Sequence, residues 1–577
     1  MKLRFLICLI FAMPVLAQNE YPDSLNAQNP DSSSHSFIEK VYSITGEIGT
    51  YGEIYGAKGI QKRRPSGTGR LFFRPTLALF NTFSVDFDFL LSTEGSSARQ
   101  SMNQFAVHPD WEWGKAHLGD FSMKFSDYTL DGISIRGGGV EINPGIFRFS
   151  ALYGRTQRAV EGNAVTASYD REIWGTKIGV GRENGNFFDF NIIRSKDIGS
   201  SLDLARQDSS FFTDTTDVID SLYATTYNDK FVISPQENLV AGFNTDLTLF
   251  EGMINFKGEF NGCLYTNDMR ASEINDSTNF KSKIPGSINS IYKLKLSTSA
   301  DYAVKTQLSA NFKTINIKGG FTRIGASYTS LGLASQINDR IGYDIGVSTR
   351  LFENKLSVST GFNKYSDNLE NQKKHTTSRS AFSSNINYRI TNEINLAASY
   401  AGNFLWNDAG NDTMKIDNSI SSYMTSVSYY FLTGKISNTV SLTGIFQNTD
   451  DGNILRKNYN SKSNTFMVNY SAALSASLML SPFASYTFTK ITGQITKLTS
   501  LGLSINYNVL DWRLNNSLTV SNTNSGNSKN MNVQLQSGYP VWKNDMINLV
   551  IRYSGNKNLR YGKYTETLAS LAYTHRF

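Results

Sequence analysis

Apolar and polar residues alternate one by one along most of this chain. Tyr42, Ile44, Ile48 and Ile54 alternate with Ser43, Thr45, Glu47 and Glu53. Phe83, Val85, Phe87 and Phe89 alternate with Ser84, Asp86 and Asp88. The same beat runs through Ile341–Leu351, Leu356–Phe362, Tyr423–Phe431, Leu501–Val509 and Trp512–Val520. A period of two puts the apolar residues on one face of a strand and the polar ones on the other. Stretches of Ala, Leu, Glu and Lys at helical spacing are missing. A soluble sandwich or adhesin also alternates, so the character of the two faces matters more. Here the polar face is mostly small and uncharged, and the apolar face carries Tyr, Phe or Trp near strand ends, as the aromatic belts of a membrane-spanning barrel do.

The connections carry a second pattern. Every other one is tight: Asn81-Thr82, Asn143-Pro144-Gly145, residues 182–185, Glu251-Gly252, Lys313-Thr314, residues 353–355, 391–393 and 433–435, Leu510-Asp511 and residues 542–545. Gly, Asn, Asp and Pro fill these hairpin turns. The alternate connections are usually longer and polar, at 55–66, 196–237, 267–297, 366–378, 404–418 and 448–463. Short turns at one rim and long loops at the other predict an all-β fold: a single large transmembrane antiparallel β-barrel with periplasmic turns and extracellular loops. The tally is about 26 strands, at the upper end of the common range. Residues 94–142, broken by Pro109, Gly114, Gly119 and Gly137-Gly138-Gly139, read either as four short strands or as a segment folded into the lumen. The second alternative leaves about 22 to 24 strands in the wall.

The chain ends on YTETLASLAYTHRF, with Phe577, Tyr573, Leu571 and Ala569 on one face and Arg576, Thr574, Ser570 and Glu566 on the other. The last strand ends on an aromatic residue with no turn after it. It resembles the C-terminal strand of Gram-negative outer-membrane β-barrels, which the barrel-assembly machinery reads; Phe577, Tyr573 and Leu571 would carry that signal. His575 stands where those barrels usually have an apolar residue. The resemblance covers this strand closely and the rest of the chain in style, and it implies a location in the cell outer membrane. A closed barrel also gives such a strand a partner, the first strand, so that no edge remains.

At the other end, Lys2 and Arg4 precede an apolar run from Phe5 to Met13, then Pro14 and Val15-Leu16-Ala17. This is a secretory signal peptide, residues 1–17. Residues 18–38, rich in Asn, Ser and Asp, read as a flexible periplasmic tail, and residues 39–577 as the barrel. Loss of the leader removes Cys8, Lys2 and Arg4. The formal charge falls from +7 to +5, and of the two cysteines in the 577-residue sequence only Cys263 is left, so no intramolecular disulfide is expected. So modest a charge on so long a chain argues against nucleic-acid binding.

Few residues offer chemistry. The five histidines are His35, His108, His117, His375 and His575. His108 and His117, near Asp110, Trp111, Trp113 and Asp120, could belong to a hydrolase site with a serine, but no nucleophile elbow accompanies them, and they read as turn and girdle residues. Cys263 reads as a small buried hydrophobe, and Gly137-Gly138-Gly139 as a bulge or a place of close packing inside the barrel. Metal-ligand spacing is absent, and no cofactor is implied. Charge is more telling. Arg70 and Arg74 share the polar face of the second strand, and Asp86 and Asp88 that of the third. A three-residue turn at Phe80–Thr82 sets Arg74 across from Asp88, which predicts a charge ladder on the lumen wall, either bracing it or setting a transverse field for solutes. Lys62-Arg63-Arg64 forms a basic external loop, solvated or engaged with lipopolysaccharide phosphates. The 196–237 loop is acidic yet contains Phe211, Phe212 and Tyr223, which suggests packing over or into the mouth.

The function expected is a porin-like channel for passive passage of solutes or polymer, not an enzyme. The alternative is a non-conducting barrel of envelope assembly, secretion or surface attachment, closed by a lumen-plugging or periplasmic partner. Other expected partners are outer-membrane lipid, lipopolysaccharide and the barrel-assembly machinery. The sequence is read as lacking the plug of TonB-dependent transporters, the periplasmic domain of lipopolysaccharide-export barrels and the tandem periplasmic repeats of assembly-machinery barrels.

Overall fold

Strand Tyr42–Lys58 (β1) pairs antiparallel with strand Gly562–Arg576 (β26), and this seam closes the sheet into a barrel. The computed structural model describes residues 42–80, 82–94, 103–161, 167–182, 185–202, 233–274, 288, 290–509 and 513–577. Within them one sheet of 26 strands runs up and down, each strand antiparallel to its neighbours in chain order. The expected leader and tail lie outside the described residues, as does most of the acidic loop, residues 203–232. A circular barrel of 26 strands would measure roughly 50 Å between opposite backbones, given a strand spacing near 4.8 Å and a tilt near 40°.

Closure follows from the solvent. In hydrocarbon no water satisfies a free backbone amide or carbonyl, so a sheet that spans a membrane must leave no edge. The seam is fully made. Glu47–Lys58 face Thr565–Arg576 residue by residue, with Tyr573 opposite Thr50 and Leu571 opposite Gly52. Phe577 continues the pairing: its amide donates to the Gly46 carbonyl at 3.1 Å and its carbonyl accepts from the Gly46 amide at 2.9 Å. Its ring lies 6.3 Å from that of Phe73.

The two rims differ as the turn pattern predicts. One rim has only short connections, such as Glu112–Trp113, residues 143–146, 250–253, 312–314 and 543–544. The other has 59–66, 122–134, 158–169, 199–236, 267–297 and 325–339. Towards the C-terminus this second rim also becomes short, at 492–493, 525–528 and 559–561. The stretch 94–142 divides between the two expectations. Strands Gln104–Trp111 (β4), Gly114–Phe121 (β5) and Ile135–Ile142 (β6) belong to the wall, and the connection 122–134 turns inside.

The faces sort by chemistry. Phe188, Phe190, Phe243, Phe260, Tyr302, Phe321 and Tyr343 are exposed on the outward face. Rings on neighbouring strands meet there: Phe190–Phe243 at 5.1 Å and Phe260–Tyr302 at 5.9 Å. His575 stands on this face too, near the short-turn rim. Its Nδ1 lies 2.9 Å from Asp545 Oδ1, and the Tyr573 hydroxyl donates to the same oxygen at 2.5 Å. A polar group on the apolar face is thus paired rather than stranded.

Gly46 has φ 151°, and a Cβ there would sit 2.4 Å from the Arg74 carbonyl oxygen. Gly52, on the same strand, would meet nothing within 4 Å. Gly46→Val should therefore destabilise the seam by on the order of 1–3 kcal/mol, while Gly52→Val leaves it unchanged. The measurement is the fraction of compact, heat-modifiable barrel on semi-native electrophoresis; equal fractions for the two variants would contradict the account.

Candidate functional site in the lumen

The inner wall has two kinds of surface. The first is an apolar stripe where the alternation predicts only polar residues. Seven consecutive strands contribute one residue each: Leu152 from Phe147–Gln157 (β7), Ile173 from Asp170–Gly181 (β8), Ile193 from Phe187–Ile198 (β9), Val240 from Glu237–Leu249 (β10), Cys263 from Ile254–Thr266 (β11), Ala303 from Thr298–Asn311 (β12) and Ile324 from Ile315–Ile324 (β13). Val240 lies opposite both Ile193 and Cys263, and Ala303 opposite Ile324, so these residues share a face. The outward aromatics hold the other face, so the stripe faces inward.

The connection 122–134 covers this stripe. Met123, Phe125 and Leu130 are buried against it, together with Tyr328 from the neighbouring connection 325–339. Gly139 makes room: a Cβ there would lie 2.8 Å from Met123 Sδ and 2.9 Å from the Phe121 ring. The two connections are joined to each other. The Tyr328 hydroxyl donates to the Tyr128 carbonyl at 2.6 Å, Ser330 to the Thr129 carbonyl at 2.6 Å, and the Asp131 amide to the Gly332 carbonyl at 3.0 Å. Both are tied to the wall as well. Glu259 accepts the Tyr128 amide at 2.8 Å, Lys305 Nζ meets Asp127 at 2.6 Å, and Asn238 bonds Thr329 and Leu331. Below the stripe the buried Arg148 makes a bidentate pair with Asp189 at 2.8 and 3.1 Å and stacks 4.5 Å from the Phe187 ring. The result is a fixed shelf inside one side of the barrel. Lys124, partly exposed on it, pairs with Asp127 and Asp131 at 2.7 and 2.8 Å.

At the external end Asp339 accepts hydrogen bonds from the Asn368 and Leu369 amides and from Lys373. Burial opposes its ionisation, but these donors outweigh it and hold the carboxyl below its ordinary value. This tie between two external loops is complete above about pH 4 and is lost as the pH falls through the lowered value.

The second surface is uncharged except at its rim end, where Asp451 pairs with Arg456 at 3.0 Å. Strands Asp417–Thr433 (β18), Ile436–Asp451 (β19), Ser461–Ser475 (β20), Leu478–Ile491 (β21), Gln494–Val509 (β22) and Leu514–Asn524 (β23) carry hydroxyl pairs across their inner faces. Ser428–Ser441 at 2.8 Å, Thr465–Thr487 at 2.8 Å, Ser463–Thr489 at 2.9 Å and Ser504–Thr519 at 2.9 Å are examples. Tyr429, Leu442, Phe466 and Leu501 are exposed on the opposite face.

Among the residues expected to form the charge ladder, Arg74 and Asp88 meet, with Nε 3.0 Å from Oδ1. Arg74 also reaches Glu47 of β1 at 3.3 Å. Arg70 turns instead to Glu94 at 2.9 Å, and Asp86 accepts the Thr76 hydroxyl at 2.6 Å. The stacked Phe73 and Phe89 rings, 6.1 Å apart, occupy the outer face of the same two strands. His108 and His117 meet on the inner face of β4 and β5, Nδ1 to Nδ1 at 3.0 Å, and His117 Nε2 lies 3.1 Å from Glu141. Both ring nitrogens of His117 are thus engaged. Sequence reasoning missed Glu47, Glu94 and Glu141, as well as the whole shelf. A signal for the shelf was present: Ile192-Ile193, Leu239-Val240 and Cys263-Leu264 each break the alternation with two apolar neighbours.

No family model matches the chain, and no curated protein matches it in sequence. Among solved structures, Acinetobacter baumannii OccAB2 is similar at 10% identity with a TM-score of 0.30, over 60% of this chain and 93% of that one. The outer membrane protein opdK from Pseudomonas aeruginosa is similar at 10% identity and a TM-score of 0.31, over 60% and 95%. The P pilus usher (PapC) translocation pore is similar at 9% identity and a TM-score of 0.36, over 92% and 99%. Likeness this low carries nothing about what the lumen does.

Cys263 lies beneath the shelf, where the Thr329 amide donates to its sulfur at 3.4 Å. In leader-free protein it should resist a water-soluble maleimide. Tyr328→Ala, a truncation that costs about 3–5 kcal/mol in a tight core, should loosen the shelf and speed labelling several-fold with the barrel intact. Equally slow labelling in the variant would show that the shelf does not depend on this contact.

Proposed function

We propose that the protein is an outer-membrane channel through which polar solutes pass by diffusion, with the shelf narrowing the lumen from one side. The observation that carries this reading is the inner wall itself. Opposite the shelf, the wall of β18–β23 offers hydroxyls paired across strands. Such a wall solvates water and neutral polar molecules without holding an ion strongly. A barrel roughly 50 Å between opposite backbones leaves an interior wider than one layer of loop fills. The leader and the C-terminal strand support the outer membrane as the location. The Glu47–Arg74–Asp88 contact supports a second element of the proposal, a charged strip at one edge of the path. Its three groups are partly exposed, so its worth to stability is small, about 0–1 kcal/mol, and its field acts on passing ions.

Purified protein in a planar bilayer should give stepwise conductance. A silent bilayer together with a stoichiometric co-purifying protein would instead establish the partner-closed barrel. Arg74→Glu places a third carboxylate beside Glu47 and Asp88 and should shift the reversal potential in a salt gradient towards cation selectivity; an unchanged potential would remove the strip from the conduction path.

A further inference from the structure

The long-loop rim is not electrically uniform. On the outward face of β5–β10 three arginines have carboxylate partners, and Lys196 stands opposite Glu172 and Glu237. Arg136 pairs with Asp120 at 2.7 Å, Arg155 with Asp170 at 3.1 Å, and Arg194 Nε meets Glu237 at 2.9 Å. On the outward face of the last strands this changes. Lys529 begins Lys529–Trp542 (β24) and stands directly opposite Lys557 of Asp545–Asn558 (β25), which stands opposite Lys563 of β26. Lys462 of β20 stands opposite Lys490 of β21, and Lys497 of β22 follows one step inward. All six are exposed, and among the described residues none has an ion-pair partner.

Like charges directly opposed on neighbouring strands have Cβ atoms roughly 5 Å apart and repel. Three lysines in a row across three strands is therefore an unfavourable arrangement unless an anion joins them. Among the described residues the chain does not provide one. From Ser461 onward its only acidic side chains are Asp511, Asp545 and Glu566. Asp545 begins β25 at the opposite rim and serves His575. Asp511 follows β22 and lies outside the described residues. Glu566 is held by the Tyr55 hydroxyl at 2.6 Å and by Arg63 at 3.5 Å. The connections beside Lys490, Lys497, Lys529, Lys557 and Lys563, at 492–493, 525–528 and 559–561, are short, and only Lys462 adjoins a longer one, 452–460, so no long loop shelters the central row. Directly towards the membrane the same face carries Phe466, Tyr486, Met531 and Tyr553, all exposed. Ammonium groups above, aromatic and apolar side chains below, and an open approach from the side describe the surroundings of a charged lipid headgroup with its acyl chains against the wall.

We propose that the outward rim of β20–β26, centred on Lys529, Lys557 and Lys563, binds the phosphate groups of lipopolysaccharide in the outer leaflet. The proposal rests on the barrel spanning the membrane with its long-loop rim outside; it does not depend on conduction. The test uses the full-length barrel in neutral detergent, wild type and Lys529→Gln/Lys557→Gln/Lys563→Gln. Binding of lipid A in mixed micelles is compared with that of dephosphorylated lipid A and of inorganic phosphate at equal phosphorus. Wild type should bind lipid A several-fold more tightly than the triple variant or than the dephosphorylated lipid, with the difference fading at high salt. Without lipid, the triple variant should unfold at an equal or higher temperature than wild type, since repulsion is relieved; added lipid A should raise the midpoint of wild type only. Equal affinity for the two lipids, full competition by inorganic phosphate, or a triple variant that binds lipid A as wild type does would overturn the proposal.

Discussion

Backbone hydrogen bonding in a medium without water is the constraint on which the rest of this structure depends. Every strand must find two neighbours, and the ends of the chain must find each other. The β1–β26 seam meets that demand along its whole length, and Phe577 extends it by a reciprocal pair of bonds to Gly46. The tight approach of Gly46 to the Arg74 carbonyl shows how closely the closing strand is fitted to the next one. Once the sheet is closed, the side-chain period of two assigns one face of every strand to lipid and one to the lumen.

A barrel of 26 strands then has more interior than its own side chains can fill. Part of that interior is occupied by two external connections that fold in and bury apolar groups against an apolar stripe on seven strands. The shelf is held by directional bonds as well as by burial. Glu259 and Asn238 accept or donate to its backbone, and the ties between Tyr328, Ser330 and the 128–131 backbone fix one connection on the other. Buried polar groups that are paired in this way fix the position of the shelf on the wall.

The interior and the rim are both asymmetric around the barrel. The shelf and the Glu47–Arg74–Asp88 contact lie within the first thirteen strands of the sheet, whereas β18–β23 offer hydroxyls to the lumen. Outside, ion pairs neutralise the rim on β5–β10, whereas lysines face lysines on β20–β26. The shorter external connections lie on this second side. The hydroxyl-lined wall and the lysine rows therefore both fall on the side of the barrel with the less elaborate loops.

The alternation of residues and of turn lengths determined the class of fold and bounded the strand count at about 22 to 26, because both are local properties of a pleated chain; the fate of residues 94–142, and with it the count of 26, came from the structure. The Asp88 partner of Arg74 was legible for the same reason: a three-residue hairpin fixes which residues oppose each other, and Asp88 is where it places one. What tertiary structure decided is everything that joins strands distant in the chain. Glu47 reaches Arg74 only after β1 is laid beside strand Gly67–Leu79. The inward course of 122–134 follows from seven separate apolar residues, each a minor irregularity in its own strand, which become one surface when the wall curves around them. His575 is legible only once Asp545 stands opposite it across β25 and β26. The lysine rows likewise are scattered single residues along the chain, and pairing register alone makes neighbours of them.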